Sequence, residues 1–178
     1  MKRIVKIILM IIAVFSISFA NERDPREQKL TYLIGEKVDN FEVTSLDGKK
    51  TISLNELKGK KVFLNFTTTW CPDCIKEKEI LGPEYAEKYK DSNVEFIIVF
   101  GPYKTDNKEK VEEYMKKNGY TFTPYYDTEG KDLYNQFGVI NIPTTFLINE
   151  EGVLEDVNVE SGYKNIKYFQ WWEKKFIN

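Results

Sequence analysis

The chain of 178 residues contains no histidine, and this absence excludes several kinds of chemistry. Without imidazole there can be no Ser-His or Cys-His nucleophilic pair, and the commonest ligand of transition metals is missing. Arginine is also scarce, because it occurs only at Arg3, Arg23 and Arg26, all near the N-terminus. We therefore expect no mechanism that needs a guanidinium group in the body of the protein.

The chain has no excess of positive charge, since its formal net charge is −2. Three of its positive charges, on Lys2, Arg3 and Lys6, lie within the first 20 residues, so removal of that segment would change the net charge from −2 to −5. A nucleic-acid-binding domain normally carries a basic surface. We therefore expect no nucleic acid among the partners.

Long apolar runs are absent except at the N-terminus, where Ile7 to Phe15 follows the basic residues. Ser18 and Ala20 stand where a signal peptidase recognises small residues, which predicts a cleaved signal peptide over residues 1–20. The alternative is an uncleaved membrane anchor over residues 4–20, although a spanning helix needs about 20 apolar residues and this run is shorter. Either interpretation predicts export to the periplasm or to the extracytoplasmic face of the membrane.

The rest of the sequence predicts a linker over residues 21–33 and one domain over residues 34–178. Strand and helix signals alternate along this domain. Strands are predicted at 61–66 and 93–100, hairpins within 41–53 and 144–159, and helices at 72–90, 106–117, 131–137 and 164–176, the first of them interrupted by Gly82-Pro83. This order predicts an α/β fold with a mixed central sheet, helices on both faces and an N-terminal β-hairpin.

Cysteine occurs only twice, as Cys71 and Cys74. A disulfide that encloses only Pro72 and Asp73 would constrain the unfolded chain very little, so the pair is not placed for stability. Structural zinc needs four Cys or His ligands, and two thiols supply half of them. A redox-active pair is therefore favoured, with no metal and no other cofactor, and a zinc-binding module remains the non-enzymatic alternative.

The spacing assigns different roles to the two thiols. Proline favours the first position of a helix, so Pro72 places Cys71 at the N-cap. There the amide N–H groups and the helix dipole can lower the pKa of a thiol, which predicts that Cys71 is the attacking nucleophile. Cys74 lies one turn further in and is expected to resolve the mixed disulfide.

Glu77, Asp73 and the Ile142-Pro143 bond are expected to modify this chemistry. Glu77 lies one turn beyond Cys74 and is expected to accept its proton; the alternative is a solvated surface acid in the charged run 76–79. Asp73 is expected to raise the pKa of Cys71 by its negative charge. The Ile142-Pro143 bond precedes an apolar strand and could be cis, giving a peptide-binding edge beside Cys71, or an ordinary trans turn.

Three parts of the sequence resemble proteins of the TlpA/ResA type. They are Val-Phe-Leu-Asn-Phe-Thr-Thr-Thr-Trp-Cys-Pro-Asp-Cys at 62–74, Glu77, and Ile-Pro-Thr-Thr-Phe-Leu-Ile-Asn-Glu-Glu-Gly at 142–152. The resemblance covers about residues 34–177. It implies a thioredoxin-like fold and an exported or membrane-anchored thiol-disulfide oxidoreductase, a group in which many members are reductants in cytochrome c maturation. For Pro143, it implies a cis proline that faces Cys71.

The resemblance also assigns the roles of the site residues. It implies that Cys71 is the nucleophile, Cys74 the resolving thiol and Glu77 the active-site acid. Substrate contacts are expected at Trp70, Pro72, Ile142 and Pro143.

The expected partners are exported proteins that carry disulfides, such as apocytochrome c or oxidised periplasmic enzymes. A membrane thiol-electron transporter is expected to return electrons to the dithiol. We expect the protein itself to be a monomer.

Two residues depart from the family pattern. Asn65 occupies the place of the buried aspartate of thioredoxins proper, and Thr67 stands where many relatives carry an aromatic residue. A thiol peroxidase of the peroxiredoxin type is the nearest enzymatic alternative, because residues 35–41 and Thr68 also resemble that family. The sequence lacks the proline and the active-site arginine that such a mechanism requires.

Overall fold

A computed structural model describes residues 30–82, 85–101, 106–159 and 171–174. Its centre is a sheet of seven strands: β1 (Glu42–Ser45), β2 (Thr51–Ser53), β3 (Lys61–Thr67), β4 (Val94–Phe100), β5 (Pro124–Tyr126), β6 (Thr144–Ile148) and β7 (Leu154–Val159). Four helices connect them: α1 (Pro72–Leu81), α2 (Tyr85–Lys88), α3 (Lys108–Asn118) and α4 (Asp132–Phe137). A 3₁₀ turn at Leu54–Leu57 follows the N-terminal hairpin of β1 and β2.

The strand order is β2-β1-β5-β4-β3-β6-β7, and the sheet is mixed as the sequence predicts. Strands β3, β4 and β5 are parallel to one another, whereas β6 is antiparallel to β3 and β7 is antiparallel to β6. Strand β3 lies near the middle, and its residues from Val62 to Thr67 are all buried. An almost uninterrupted apolar run suits such a strand, because both of its faces are covered.

Alternate residues of β3 point to the two faces of the sheet, because side chains alternate along a strand. Val62, Leu64 and Phe66 join the hydrophobic cluster that includes α4. Phe63 joins the second cluster, which includes residues of α3. Asn65 and Thr67 share the face of Phe63, and both bond to side chains of α1. This alternation places two polar residues of the strand directly beneath α1.

The helix predicted over residues 72–90 is interrupted as expected. Helix α1 ends at Leu81, and Gly82 adopts a positive φ of 83°, a conformation that glycine accepts without steric cost. The next helix begins at Tyr85, and the structure does not describe Pro83.

Two sequence-based boundaries need correction. Strand β5 was not predicted, because three residues that begin with Pro124 are too short and too irregular to give a strand pattern. The predicted linker over 21–33 extends too far, since Leu30 and Tyr32 are buried in the core and the amide of Thr31 donates to the carbonyl of Phe137. The packed domain therefore includes residues at least from Leu30 onward.

The predicted signal peptide over 1–20 and most of the predicted C-terminal helix lie outside the described residues. Residues 171–174 are helical, and the Trp172 ring lies 5.1 Å from the Phe63 ring between centroids. Trp172 is therefore part of the core, as an amphipathic helix packed on the sheet would require. Among the described residues, no helix is both long and apolar enough to cross a membrane.

Candidate functional site

Cys71 occupies the N-cap of α1, as the Cys-Pro sequence predicts. Its backbone is extended, with φ −76° and ψ 122°, and Pro72 takes the first helical position. The backbone N–H of Cys74 donates to Cys71 Sγ at 3.3 Å. The sulfur therefore receives a hydrogen bond from the first turn of the helix, in the position of an N-cap side chain.

The loop before β6 completes the surroundings of Cys71. The Ile142-Pro143 bond is cis, as the resemblance implies. The Cys71 thiol donates to the Ile142 carbonyl oxygen at 3.6 Å. Ile142 is half-buried, Trp70 is half-buried and Pro72 is exposed, so three of the expected substrate contacts border the thiol and are open to solvent to some degree.

The two thiols are both free, and their environments differ sharply. A hydrogen bond from the Cys74 thiol, aided by backbone N–H groups of the first turn, lowers the pKa of Cys71 to about 7. Burial and the hydrogen bond to Cys71 raise the pKa of Cys74 far above its usual range. At neutral pH Cys71 is thus the thiol that ionises, which is the asymmetry expected of an attacking and a resolving cysteine.

The charge of Asp73 acts in the expected direction but does not dominate. It raises the pKa of Cys71, while the backbone N–H of the same residue lowers it. Both effects are smaller than that of the hydrogen bond from Cys74, so the pKa of Cys71 still falls. The charge of Asp73 therefore only moderates the pKa of the nucleophile.

Glu77 is buried, with 1% of its surface exposed, so its interpretation as a solvated surface residue is wrong. Asn65 Nδ2 donates to Glu77 Oε2 at 2.7 Å and to Thr145 Oγ1 at 2.8 Å. Thr145 Oγ1 in turn donates to Glu77 Oε1 at 3.2 Å. Asn65, the departure from thioredoxins proper, is thus a hydrogen-bond donor to the carboxylate.

Burial raises the pKa of Glu77, and the positive charge of Lys78 and the hydrogen bonds from Asn65 and Thr145 oppose that rise. A carboxyl group with a raised pKa exchanges its proton closer to neutral pH, where a general acid or base is most effective. Glu77 also lies one helical turn from Cys74 on the same side of α1. It is therefore suitably placed and tuned to exchange a proton with the resolving thiol.

Lys78 is a site residue that the sequence analysis missed. It is 1% exposed, and its Nζ donates to Thr67 Oγ1 and, at 3.4 Å, to the Cys74 carbonyl oxygen. The ammonium group also lies 5.6 Å from the centre of the Phe100 ring. Burial lowers the pKa of Lys78, while the nearby negative groups of Glu77, Cys74 and Cys71 oppose that change. A second buried ionisable side chain thus stands beside the dithiol.

The strand end below the thiols is held from two sides. The Tyr134 hydroxyl donates to the Thr67 carbonyl oxygen at 2.9 Å, and the amide of Thr69 donates to Asp106 Oδ2 at 2.8 Å. Gly101 leaves room for Tyr134, since a Cβ at that position would lie 2.6 Å from its ring. These contacts fix the segment that leads from β3 into the N-cap.

Paired thiols can also bind a metal ion. Within residues 30–82, 85–101, 106–159 and 171–174, no group of three or more Cys, Asp or Glu side chains is arranged to hold a metal ion. The described part of the domain therefore offers the two thiols no additional protein ligands of these types.

Known proteins are similar to this chain both in sequence and in fold. Residues 34–157 match the AhpC/TSA family. The thiol-disulfide oxidoreductase ResA of Bacillus thuringiensis subsp. konkukian is 37% identical over 145 residues, which are 81% of this chain and 79% of that protein. ResA of Bacillus subtilis is 38% identical over 118 residues, which are 66% of this chain and 63% of that protein.

Among solved structures, StoA of Bacillus subtilis superposes with a TM-score of 0.62 at 31% identity, covering 75% of this chain and 96% of StoA. The fold is therefore thioredoxin-like. The chain belongs to the AhpC/TSA family and is a thiol-disulfide oxidoreductase of the ResA type.

Proposed function

We propose that this enzyme reduces disulfide bonds in exported proteins through Cys71 and Cys74. The observation that carries the proposal is the asymmetry of the dithiol: Cys71 at the N-cap has a pKa of about 7, whereas Cys74 is completely buried and has a strongly raised pKa. Only one of the two thiols can then start the reaction, and the other acts after a substrate has been attached.

The reaction begins with attack of the Cys71 thiolate on a substrate disulfide. A bond forms between Cys71 Sγ and one substrate sulfur, and the other substrate sulfur leaves as a thiolate that takes a proton from solvent. Cys74 then attacks Cys71 Sγ, so that the protein disulfide forms and the second substrate thiolate leaves. Two electrons have passed from the dithiol to the substrate.

Cys74 must lose its proton before it attacks, and Glu77 is the group that we propose accepts it. The carboxylate of Glu77 is buried and lies on the same side of α1. Its raised pKa makes it a better proton acceptor than a solvated carboxylate at the same pH. After the protein disulfide has formed, Glu77 can release this proton to solvent, and reduction of the disulfide takes a proton up again.

The pKa of Cys71 favours reduction of substrates over their oxidation. Strongly oxidising members of this fold have a nucleophile with a pKa of about 3.5, whereas reducing members have one of about 7. The pKa of Cys71 lies at the second of these values. A less stabilised thiolate leaves the reduced form relatively less stable and makes the protein a better electron donor.

An extracytoplasmic location is supported by the signal-like residues 1–20. One solved relative, with a TM-score of 0.57 and 28% identity, is a lipoprotein thioredoxin of Streptococcus pneumoniae described as exposed. The superposition covers 73% of this chain and 99% of that protein. We propose that the substrates are apocytochrome c or oxidised periplasmic enzymes and that a membrane thiol-electron transporter restores the dithiol.

A peroxidase reaction is the second candidate, because the family match carries the AhpC/TSA description. Arginine occurs only at positions 3, 23 and 26, before the first described residue, so the described domain supplies no guanidinium group to polarise a peroxide. The second thiol, Cys74, is buried and hydrogen-bonded to Cys71, and such a pair fits disulfide exchange better. Consumption of hydrogen peroxide faster than reduction of insulin would favour the peroxidase.

The test is reduction of insulin in a dithiothreitol-coupled assay. We expect Cys71→Ala to lower the rate to that of the uncatalysed reaction, because the remaining thiol, Cys74, is completely buried. Cys74→Ala should still react once and should accumulate mixed disulfides with its substrates. Full activity in Cys71→Ala would contradict the mechanism, and the absence of mixed disulfides in Cys74→Ala would contradict the resolving role.

The substrate class can be tested with a matched pair of peptide disulfides. One peptide carries the Cys-x-x-Cys-His sequence of a haem attachment site, and its control carries the same residues in scrambled order with the same loop length. Faster reduction of the first peptide supports apocytochrome c as substrate. Equal rates would favour a general reductant of exported proteins.

A further inference from the structure

Lys78 is a buried ionisable group for which the dithiol mechanism described so far has no use. Its side chain extends beneath the first turn of α1, where Nζ donates to Thr67 Oγ1 and to the Cys74 carbonyl oxygen. Burial of a charged amine lowers the stability of the folded protein unless the charge is paired or hydrogen-bonded. Lysine is rarely fully buried for this reason. The position of Lys78 therefore requires an explanation.

The surroundings of Lys78 contain few groups that could balance its charge. On its own helix it faces Glu77, Cys74 and Cys71. On other described elements, Tyr114 of α3 and Tyr134 of α4 interact electrostatically with Cys74, and Asp127 and Asp106 interact with Tyr134.

These other groups do not supply its counter-charge. Burial raises the pKa values of Tyr114 and Tyr134, so both hydroxyl groups are neutral at physiological pH. Asp106 accepts hydrogen bonds from Thr69, Asp127 accepts them from the amides that begin α4, and neither carboxylate is among the charges that act on Lys78. Among the described residues, the negative charge that acts on Lys78 therefore comes from Glu77 and from the two thiols.

We propose that Lys78 stabilises the Cys74 thiolate during resolution, and that its counter-charge passes from Glu77 to Cys74 when the proton moves. The inference rests on the proposed dithiol function. Before the step, Lys78 is positive, Glu77 is a carboxylate and Cys74 is a thiol. After proton transfer, Glu77 is neutral, Cys74 is a thiolate and the positive charge of Lys78 is still balanced.

The subsequent attack of Cys74 on Cys71 Sγ forms the protein disulfide and releases the substrate thiolate. The net charge of the buried pocket stays constant until that bond forms, which avoids the large cost of an uncompensated buried charge. Lys78 does not touch the substrate or the attacking electron pair. It is a positioning residue that acts through the charge on Cys74.

The strand beneath α1 is built to hold this lysine. Thr67 lies on the same face of β3 as Asn65, and the two residues meet successive residues of the helix, Lys78 and Glu77. A phenylalanine or tryptophan at position 67 would offer no hydroxyl to the amine. The hydroxyl at this position and the buried lysine thus form one unit.

Single-turnover reduction of an aromatic disulfide, bis(nitrobenzoate) disulfide, separates the two steps in the reduced full-length protein. Attack by Cys71 releases the first coloured nitrothiobenzoate anion, and resolution by Cys74 releases the second. We expect Lys78→Met to slow the second release about tenfold while changing the first by less than about threefold. Loss of the positive charge lowers the population of the Cys74 thiolate about a hundredfold. The more basic thiolate is about tenfold more nucleophilic, so the rate of resolution falls only about tenfold.

Two further variants make the result specific. Lys78→Gln keeps a hydrogen-bond donor for Thr67 but removes the charge, and we expect it to slow the second release as Lys78→Met does. Lys76→Met makes the same change at an exposed position of α1, and we expect it to leave both releases unchanged. The pH profile of the second release should shift to higher pH in both Lys78 variants, a change that a purely structural role would not produce.

The outcomes separate this inference from the proposed function. If the wild type releases both anions and both Lys78 variants release the second at the wild-type rate and pH profile, the role of Lys78 is refuted and the dithiol mechanism stands. A slow second release in Lys78→Met alone would assign Lys78 to hydrogen bonding and would also refute the inference. If the wild type releases neither anion, the proposed function itself fails.

Discussion

The two sides of α1 carry the same residue types in opposite surroundings. On the outer side Lys76 Nζ and Glu79 Oε2 form an ion pair at 2.8 Å, and their side chains are 58% and 52% exposed. On the inner side Glu77 and Lys78 are each 1% exposed. Four consecutive residues of the sequence Lys-Glu-Lys-Glu therefore supply one solvated pair and two buried ionisable groups.

The comparison shows that burial, rather than residue type, gives these side chains their chemistry. An exposed ion pair is screened by water and contributes little to stability. For the buried side chains, desolvation raises the pKa of Glu77 and lowers the pKa of Lys78. Both shifts bring these groups closer to the pH at which proton transfer can be efficient, at a cost in stability.

Reversal of the lysine charge should give the largest difference between the two sides. Lys78→Glu would place a second buried carboxyl group near Glu77 and Cys74 and leave it facing the Cys74 carbonyl oxygen. We expect it to lower the free energy of unfolding by about 3–5 kcal/mol, measured by urea denaturation. Lys76→Glu, the same change on the outer side, should leave the urea midpoint close to that of the wild type. Similar losses at both positions would show that Lys78 is not buried in solution.

Removal of the lysine charge should give a smaller effect of the opposite sign. Lys78→Met replaces a buried amine by an apolar side chain of similar length. The lowered pKa of Lys78 means that burial of its charge costs more than the attraction of Glu77 and the thiols offsets, so we expect the free energy of unfolding to rise by about 1–3 kcal/mol at neutral pH.

The pH dependence of this gain follows from the sign of the pKa change. The pKa of Lys78 is lower in the folded protein than its ordinary value of 10.5, so the unfolded chain binds the extra proton between the two values and stability increases with pH there. The advantage of Lys78→Met should therefore shrink as the pH approaches 10.5. Urea denaturation of the wild type and of Lys78→Met between neutral pH and pH 10.5 measures this advantage. A difference in the free energy of unfolding that stays constant with pH would contradict the lowered pKa of Lys78.

The sequence predicted the parts of the site that depend on local geometry. Cys71 at the N-cap follows from the proline after it, and the positions of Cys74 and Glu77 on α1 follow from helical spacing. The cis Ile142-Pro143 bond was implied by the resemblance and is present in the structure. Mixed strand order followed from the alternation of elements.

The burial of Lys78 was not predicted, because a run of alternating charges is normally a solvated face. The signal that could have shown it lies on another element. Asn65 and Thr67 are polar residues two apart in an otherwise apolar strand, so both face the same helix, and each needs a polar partner there. Tertiary pairing also explains why β5 and the burial of Leu30 were missed, since neither has a local pattern.

Neutralisation of the glutamates should give the smallest difference between the two sides. Glu77→Gln removes a buried negative charge while its amide can still bond to Asn65 and Thr145. We expect a gain of about 1 kcal/mol in the free energy of unfolding at neutral pH, less than for Lys78→Met because the amide of Gln is still a buried polar group whereas Met is apolar. Glu79→Gln is the matched control on the outer side and should leave the urea midpoint unchanged.

The gain in Glu77→Gln should depend on pH in the opposite direction to that of Lys78→Met. The folded protein raises the pKa of Glu77 above its ordinary value of 4.5, so its contribution to stability is fully present below pH 4.5 and is lost as the pH rises through the folded pKa. Glu77→Gln lacks this loss, so its gain in the free energy of unfolding over the wild type should disappear as the pH falls to 4.5. Urea denaturation of both proteins at several pH values measures this gain. An advantage that persists below pH 4.5 would mean that the gain comes from packing rather than from the charge, and Glu77 would then be a poor candidate for the proton acceptor of Cys74.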